Sequence, residues 1–224
     1  MDYQIEGIEY WKNRPFHDER KDWNREDKKI NWIDQYWESR NHPHRQVVLD
    51  AVEALNSIFP IKNVLEIGCN AGPNLGLIKE KYPHIDIAGV DVNEQVIAKA
   101  ENFVPQGSFR IASADKLQFL DKAFSLVIAD AVLMYVNRDE IWATLTEMKR
   151  VATFILLVEW DSSNKFGKTE DGHWARDYKK LLEEMDFTVN KKKLTFEEWP
   201  TTSWTNNGYI YAAVPVLKIS NKSS

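Results

Sequence analysis

Hydrophobic and polar positions follow two alternating patterns along most of the chain after residue 44. Short, nearly continuous apolar runs predict buried strands, and longer stretches with apolar residues every three or four positions predict helices. The predicted strands are 63–68, 85–92, 108–113, 124–132, 154–160, 187–194 and 208–216. The predicted helices are 45–59, 73–82, 94–103, 138–151 and 173–185.

This order of elements predicts an α/β fold. Strands that alternate with helices form a parallel sheet covered on both faces, so we expect a doubly wound, mostly parallel, seven-stranded sheet. No helix is predicted between 187–194 and 208–216. Those two strands are therefore expected to form an antiparallel pair at one edge of the sheet.

Residues 1–44 differ from the rest of the chain, because they combine many charged residues with several large aromatic ones. Their tryptophans are Trp11, Trp23, Trp32 and Trp37. Disordered segments are poor in aromatic residues, so we expect short helices that pack aromatic faces on the main body. A His-Pro-His motif at 42–44 is expected to end the segment, because proline disfavours a helical residue before it. The expected organisation is an N-terminal helical lid, 1–44, and a main domain, 45–224.

Composition limits the cellular locations and the partners that are expected for the protein. The 224 residues include one cysteine, which excludes an intrachain disulfide, and no apolar run reaches the length that crosses a bilayer. The N-terminus has acidic residues where a signal peptide has basic ones. We therefore expect a cytoplasmic, soluble protein without a membrane partner. The net charge of −5 argues against a nucleic-acid partner, which needs a basic surface.

A glycine-bearing turn lies between the first predicted strand and the helix that follows it. It contains Gly68, Asn70 and Gly72, and Pro73 opens the helix. Such a turn directs backbone N–H groups and the positive end of the helix dipole at a ligand. A phosphate loop would need a Gly-Lys-Ser/Thr ending, which is absent, and the dinucleotide fingerprint G-x-G-x-x-G is matched only at Gly68.

The stretch Glu-Ile-Gly-Cys-Asn-Ala-Gly at 66–72 resembles the first motif of class I S-adenosylmethionine-dependent methyltransferases, with Asn70 in place of the middle glycine. The resemblance continues in Asp91, which ends the second strand, and in Asp115, which follows the third. The stretch 124–136 is similar to the fourth-strand motif of the family. The similarity covers about residues 45–160 and implies a Rossmann-like methyltransferase fold.

The resemblance implies S-adenosylmethionine as the cofactor and assigns it a set of residues. Asp91 is expected to accept hydrogen bonds from the ribose hydroxyls, and Asp115 to lie near the adenine amino group. Glu66 is expected to accept from backbone amides of the turn or to act indirectly on the cofactor's amino group. The expected cofactor-binding residues are Glu66, Gly68, Asn70, Gly72, Asn74, Asp91, Val92, Ala114, Asp115 and Asp130. Cys69 is expected to be a packing residue.

In this family a methyl group passes in line from a sulfonium to a nucleophile, so alignment in a dry site favours the reaction. The acceptor is expected to be held by 1–44, by the loop 161–173 and by 194–208, where tryptophans concentrate. Their rings would enclose a sugar or ring-shaped acceptor, or would only fix the N-terminal helices to the body. Both interpretations stay open.

A hydroxyl acceptor would need a general base, and His173 is the first candidate because it follows the fifth strand at a predicted helix start. The alternative role for His173 is a helix cap or a surface residue. His42 and His44 are the next candidates. Asp130, which closes the fourth strand, is expected to face the methyl region and is the second expected catalytic residue.

Two arginines and three carboxylates are further candidates for binding roles. Arg45 and Arg176 would bind an acidic acceptor group or, as the favoured alternative, pair with neighbouring carboxylates. No metal is expected, because the adjacent acidic pair of metal-assisted catechol enzymes is missing, although Asp130, Glu159 and Asp161 would be the carboxylates available.

The sequence therefore predicts O-methylation of a small-molecule or sugar-like acceptor by a monomer or homodimer. A protein or peptide methyltransferase is one alternative, which an open acidic groove would favour. A non-catalytic, cofactor-binding partner subunit is another. An NAD-dependent dehydrogenase is the third.

Overall fold

A computed structural model describes residues 7–14, 31–162, 167–168 and 173–216 of the chain. Its helices are α1 (Gly7–Asn13), α2 (Trp32–Glu38), α3 (Pro43–Ile58), α4 (Pro73–Lys81), α5 (Glu94–Phe103), α6 (Ile141–Val151), α7 (Tyr178–Glu183) and α8 (Thr202–Asn207). Its strands are β1 (Asn63–Ile67), β2 (Asp86–Asp91), β3 (Ser108–Ile111), β4 (Phe124–Asp130), β5 (Ala152–Trp160), β6 (Gly167–Lys168), β7 (Trp174–Ala175), β8 (Phe187–Lys193) and β9 (Gly208–Pro215). Short 3-10 helices lie at Ser39–Asn41 and Leu133–Tyr135.

Within the described residues, seven strands form one sheet in the order β3-β2-β1-β4-β5-β9-β8. The pairs from β3 to β5 are parallel, and β9 runs antiparallel to both of its neighbours. The doubly wound α/β fold predicted from the sequence is confirmed. Because β2 and β4 lie on opposite sides of β1, the chain reverses its winding direction there, and a crevice opens beyond the carboxyl ends of these strands.

Two apolar layers cover the two faces of the sheet. On β1, Val64 belongs to the layer that contains buried residues of α3, α4 and α5, whereas Leu65 and Ile67 belong to the layer under α6 and α7. This alternation is the two-residue period of a strand whose faces are both buried. The sheet is thus held rigid on both sides, which fixes the strand ends that border the crevice.

The motif at 42–44 separates the 3-10 helix Ser39–Asn41 from α3, since His42 is extended and is the N-cap of α3, whose first residue is Pro43. Two expectations about local structure are wrong. Residues 173–185 are not one helix: β7 comes first, and α7 begins only at Tyr178. A helix does lie between the last two strands, since Thr201 caps α8 through its side chain.

The helix predicted to begin at residue 173 is displaced by the tertiary contacts of Arg176. Its backbone amide donates to the carbonyl of Trp160, and its fully buried guanidinium donates to the carbonyls of Leu133 and Val136. An extended path satisfies these buried groups and a helical one would not. The expected antiparallel pair at the sheet edge is present, with β9 as its inner and β8 as its outer strand.

The described parts of the N-terminal segment pack on the carboxyl edge of the sheet. Trp32 and Ile33 of α2 are buried, and Trp37 stacks on Phe103 with ring centroids 4.7 Å apart. The side-chain amide of Asn93, the N-cap of α5, donates to the backbone carbonyl of Trp11 at 2.9 Å. Trp23 lies outside the described residues. The division into a lid, 1–44, and a main domain, 45–224, stays a prediction. None of the described helices is long and apolar enough to cross a membrane.

Candidate active site

The turn after β1 depends on backbone conformations that favour glycine. Gly68, Asn70 and Gly72 all have positive φ angles, of 61°, 49° and 77°. A Cβ atom on Gly68 would lie 2.4 Å from Cγ2 of Val132, so glycine is required there for close packing as well as for its φ angle. Asn70 takes the left-handed conformation that a glycine would supply at this position, and its side-chain oxygen accepts from the amide of Ala71 at 2.7 Å.

Asp91 is fixed beside this turn at the end of β2. Its carboxylate accepts from the backbone amide of Asn70 at 3.1 Å and from that of Asn93 at 3.0 Å. Burial raises the pKa of Asp91, while these backbone hydrogen bonds oppose the rise. The carboxylate therefore has a defined orientation at the carboxyl edge of the sheet.

A cavity of about 1250 Å³ lies over this edge. Its floor is formed by the ends of β1, β2 and β4 and by the loop after β3, and the described residues of that floor include Gly68, Asn70, Asp91, Val92, Ala114 and Asp130. Its wall is largely aromatic and comes from distant segments, with Trp11, Trp32, Tyr36, Tyr135, His173 and Trp199. The cavity exceeds the range of about 300–1,000 Å³ typical of single small-ligand pockets.

Below the floor, three polar side chains form a buried network. The amide nitrogen of Asn74 donates to Oε1 of Glu66 at 2.7 Å and to Oδ2 of Asp130 at 2.9 Å. Burial raises the pKa of Glu66 to about 8, against the effect of the Asn74 hydrogen bond. The expectation that Glu66 accepts from backbone amides of the turn is wrong, because its hydrogen bond comes from this side chain. Asn74 thus couples the first helical turn of α4 to the ends of β1 and β4.

Asp130 carries the negative charge at the centre of the site. Arg45 Nη1 lies 2.5 Å from Asp130 Oδ2, and His44 Nε2 lies 3.4 Å from the same oxygen. Burial alone would raise the pKa of Asp130, but the charges and hydrogen bonds around it keep that pKa well below its usual range. Burial, and then Arg45, lower the pKa of His44 to about 4, so His44 is neutral at pH 7. Arg45 therefore supplies the positive charge that keeps Asp130 ionised.

A second histidine continues this cluster towards the cavity. Nδ1 of His42 lies 2.5 Å from Nδ1 of His44. Trp199 stacks on the ring of His44, with centroids 4.0 Å apart, and on Trp204 at 3.7 Å. The two histidines are thus held between the N-terminus of α3 and the segment that follows β8.

The structure brings seven of the eleven predicted site residues to the cavity lining. They are Gly68, Asn70, Asp91, Val92, Ala114, Asp130 and His173. The four that do not line it are Glu66, Gly72, Asn74 and Asp115. Glu66, Gly72 and Asn74 belong to the turn and to the network beneath it, whereas Asp115 is exposed and accepts a hydrogen bond from Ser113, which does line the cavity.

His173 lies between two aromatic rings of the cavity wall. Its ring makes edge contacts with Tyr135 at 5.1 Å and with Trp160 at 5.2 Å between centroids. It comes directly before β7 rather than at a helix start, so the predicted capping role does not apply.

The remaining charged candidates all make contacts within the protein. Arg45 pairs with a carboxylate, as favoured from the sequence, but Arg176 binds backbone carbonyls instead. Glu159 is fully buried and accepts from the amides of Val132, Leu133 and Met134. Asp161 accepts from Lys191 and from the hydroxyl of Tyr211. Among the described residues, no group of three or more His, Cys, Asp or Glu side chains is arranged to hold a metal ion.

Sequence reasoning missed several residues of the site. Arg14 lies over the rings of Trp11 and Trp32, with Cζ 5.2 and 4.2 Å from their centroids, and lines the cavity. Tyr135 contacts Trp11 at 4.9 Å. In the sequence, these residues were indicated only by the many aromatic residues of the two peripheral segments. That pattern does not specify which rings line the cavity.

A family model described as a methyltransferase domain matches residues 64–153. Over residues 64–153 the chain is thus similar to the class I S-adenosylmethionine-dependent methyltransferases. The matched region runs from β1 to the start of β5 and contains the glycine turn, Asp91 and Asp130. The cofactor of this family is S-adenosylmethionine.

Two curated relatives are methyltransferases of small molecules by name. A demethylmenaquinone methyltransferase of Thermotoga maritima is 32% identical over 76 residues, which cover 34% of this chain and 33% of that protein. A trans-aconitate 2-methyltransferase of Variovorax paradoxus is 29% identical over 77 residues, which cover 34% and 30%. The match therefore spans about a third of the length of each relative.

A solved structure shares the fold over most of the chain. The magnesium protoporphyrin IX methyltransferase of Synechocystis PCC 6803, crystallised with S-adenosylmethionine, superposes with a TM-score of 0.63 at 16% identity. The superposition covers 93% of this chain and 94% of that one. The Rossmann-like methyltransferase fold thus extends beyond the matched domain to the edge strands.

The residues of the cavity fit S-adenosylmethionine. Its amino-acid end carries one positive and one negative group, and the cavity floor offers Asp130 and Arg45, of opposite charge. Among the described residues, Asp130 Oδ1 and Arg45 Nε are buried and lack a hydrogen-bond partner, which leaves capacity for a polar ligand. The close approach that Gly68 allows suits the amino-acid end of S-adenosylmethionine. The carboxylate of Asp91 suits its ribose.

Proposed function

We propose that the chain is an S-adenosylmethionine-dependent methyltransferase that methylates an oxygen of a small-molecule or sugar-like acceptor. The single observation that carries the proposal is the cavity itself. It joins a floor suited to the cofactor to an aromatic wall contributed by residues far away in the sequence, and its volume of about 1250 Å³ accommodates two small ligands.

The cofactor is proposed to lie across the ends of β1, β2 and β4. Gly68 and Asn70 would approach its amino-acid end, with Arg45 and Asp130 as the charged partners. Asp91 would accept from the ribose hydroxyls. The adenine would lie against Val92 and Ala114, and Asp115, which is exposed, would reach its amino group only at the rim of the cavity.

The acceptor is proposed to contact the aromatic wall. Flat rings bind sugars and other ring-shaped molecules over their faces and attract a nearby sulfonium by cation–π contact. The cavity is not an acidic groove, because Arg14 and Arg45 balance Asp91 and Asp130 among its described charged residues. This balance favours a small acceptor over a basic peptide. The names of the two curated relatives, which denote methylation of small molecules, support the same choice.

The protein would accelerate transfer mainly by alignment and exclusion of water. Bound S-adenosylmethionine supplies the electrophilic methyl group. The chain would hold both ligands in one cavity, which favours in-line attack by an acceptor oxygen. His173 and His42 both line the cavity and are the histidines available to take the acceptor's proton.

The proposal is tested with methyl-labelled S-adenosylmethionine and separate pools of phenols, sugars, dicarboxylic acids and peptides. We expect label in a low-mass product, and binding of S-adenosylhomocysteine by calorimetry. Label confined to the peptide pool would favour a protein methyltransferase. Normal cofactor affinity with no labelled product in any pool would favour the non-catalytic subunit, and preferential binding of NAD would favour a dehydrogenase.

A further inference from the structure

We propose that His42 is the general base of this site and that His44 and Asp130 position it. The inference rests on the proposed function and deepens it, because a carboxylate attacks the methyl group without losing a proton, whereas a hydroxyl acceptor must lose one. The acceptor class is therefore an alcohol or phenol rather than a carboxylate.

The three side chains form a continuous chain of polar contacts. Asp130 Oδ2 lies 3.4 Å from Nε2 of His44, and Nδ1 of His44 lies 2.5 Å from Nδ1 of His42. His44 is 5% exposed, whereas the ring of His42 is half-buried, and both line the cavity. His42 is thus the outer member of a chain whose inner end is a carboxylate.

The contacts determine where the protons lie. A neutral imidazole has one N–H donor and one acceptor nitrogen. His44 is neutral at pH 7, and its Nε2 faces the ionised Asp130, so this nitrogen carries the proton. Its Nδ1 is then an acceptor. The short contact with His42 needs one proton between the two nitrogens, and that proton must belong to Nδ1 of His42.

This arrangement leaves a lone pair on Nε2 of His42. The backbone amide of His44 also points at Nδ1 of His42, at 3.3 Å, and would favour the opposite tautomer. The ring contact is the shorter of the two, and we assign the proton of Nδ1 to it. The tautomer with a free Nε2 is the one able to accept a proton.

The reaction step balances without a further reagent. The acceptor O–H gives its proton to Nε2 of His42, and the oxygen forms a bond to the methyl carbon. The C–S bond breaks, and its electron pair returns to sulfur. The imidazolium of His42 is stabilised through His44 by Asp130 and later releases its proton to water.

Neighbouring side chains pack against His42 and His44 and shift the pKa of His42. Trp199 packs against both rings, at 4.0 Å from His44 and 5.7 Å from His42. Burial, then the charge of Arg45, lower the pKa of His42, and Asp130 opposes them. Within the described residues, the charged groups that shift the pKa of His42 are Arg45 and Asp130, and the titratable neighbour of its ring is His44. A base with a lowered pKa is unprotonated at neutral pH.

The first test determines the tautomers directly and needs no acceptor. Protein with ¹⁵N-labelled histidine is saturated with S-adenosylhomocysteine, and long-range ¹H–¹⁵N spectra are recorded near pH 8. We expect the proton of His42 on Nδ1 and that of His44 on Nε2. The exposed His84 provides the reference signal of an unconstrained ring. A proton on Nε2 of His42 would overturn the proposal.

The second test is kinetic and uses a phenol or sugar that wild-type protein methylates. His42→Asn keeps a side chain that caps α3 well but removes the base. We expect kcat to fall by about 10²–10⁴-fold, with the KM for S-adenosylmethionine unchanged and the low-pH limb of the rate profile lost. His84→Asn is the matched control and should keep wild-type kinetics.

The outcomes separate the two proposals. Wild-type kcat in His42→Asn, together with a large loss in His173→Asn, would assign the base to His173. If the wild type methylates an acceptor but the proton of neutral His42 lies on Nε2, the assignment of His42 as the base is contradicted. The proposed function is then unaffected. A proton on Nδ1 of His42 in a protein that methylates no acceptor would contradict the proposed function while confirming the arrangement of the pair.

Discussion

Asp91 contacts the glycine turn and also lies on the lining of the cavity. Its oxygens accept from the amides of Asn70 and Asn93, and it borders the cavity beside Val92. A carboxylate has about four lone-pair positions, so these two hydrogen bonds leave capacity for two ribose hydroxyls. The same residue therefore orients the glycine turn and is positioned to select an adenosine-containing ligand.

Replacement of Asp91 by asparagine should weaken cofactor binding without unfolding the chain. The amide retains one acceptor oxygen but loses the charge that strengthens the hydrogen bonds to the ribose. We expect the calorimetric affinity for S-adenosylhomocysteine to fall by about 1–3 kcal/mol. Asp86→Asn, at the exposed opposite end of β2, is the matched control. Equal affinities of wild type and Asp91→Asn would reject the ribose assignment.

At the scale of elements, the segment 131–136 after β4 is the most heavily restrained part of the site. Ala131 has a φ of 56°, a conformation that costs energy for a residue with a Cβ. Glu159 compensates by accepting from three successive amides of the segment, and Arg176 donates to two of its carbonyls. Because Val132 and Tyr135 lie on this segment, these two buried side chains indirectly fix the cavity wall.

Removal of the Glu159 carboxylate should therefore be costly. Glu159→Ala leaves three amides without their acceptor and opens a small cavity, so we expect the free energy of unfolding to fall by about 2–4 kcal/mol. Denaturant titration monitored by circular dichroism measures the change. Glu183→Ala on the exposed surface of α7 should change stability by less than about 1 kcal/mol. Similar stabilities of the two variants would show that Glu159 does not support the segment.

At the scale of the whole molecule, both peripheral segments border the site. α1 is tied to the N-cap of α5 through Asn93, and α2 buries Trp32 and Ile33 over the same edge. From the other end of the chain, Trp199 covers the histidines. A ligand in the cavity would contact all three regions. Its binding should therefore change the stability of segments that contain no cofactor motif.

We expect S-adenosylhomocysteine to slow hydrogen exchange in the N-terminal helices. Contacts with a bound ligand stabilise the closed arrangement, so backbone amides of α1 and α2 should open less often. Hydrogen–deuterium exchange with mass spectrometry measures this, and β8 at the far edge of the sheet serves as the internal control. Unchanged exchange in α1 and α2 at saturating ligand would contradict a role for them as a lid.

The sequence alone determined the parts of this protein that are encoded locally. Strands and helices of the matched domain were predicted to within a few residues, because both faces of the sheet are buried and periodicity is then strong. The turn at 66–72 and a carboxylate at the end of the second strand were also predicted, whereas the hydrogen bond from the Asn70 amide to Asp91 was not. The positive φ at Gly68 and the carboxylate at the end of a strand each depend on the residue type at one position. Such features can be recognised in the sequence.

The tertiary structure alone decided which distant groups meet. Arg45 and Asp130 are 85 positions apart, and Trp199 reaches His44 from the far end of the chain. No local pattern specifies such pairings, because they depend on how the sheet edge and its covering segments pack. Residues 173–185 have a helical pattern, but the buried hydrogen bonds of Arg176 outweigh that local preference. Local patterning therefore determined the glycine turn and the strand ends of the cavity floor, and long-range packing decided the charge pairing of that floor and the aromatic wall.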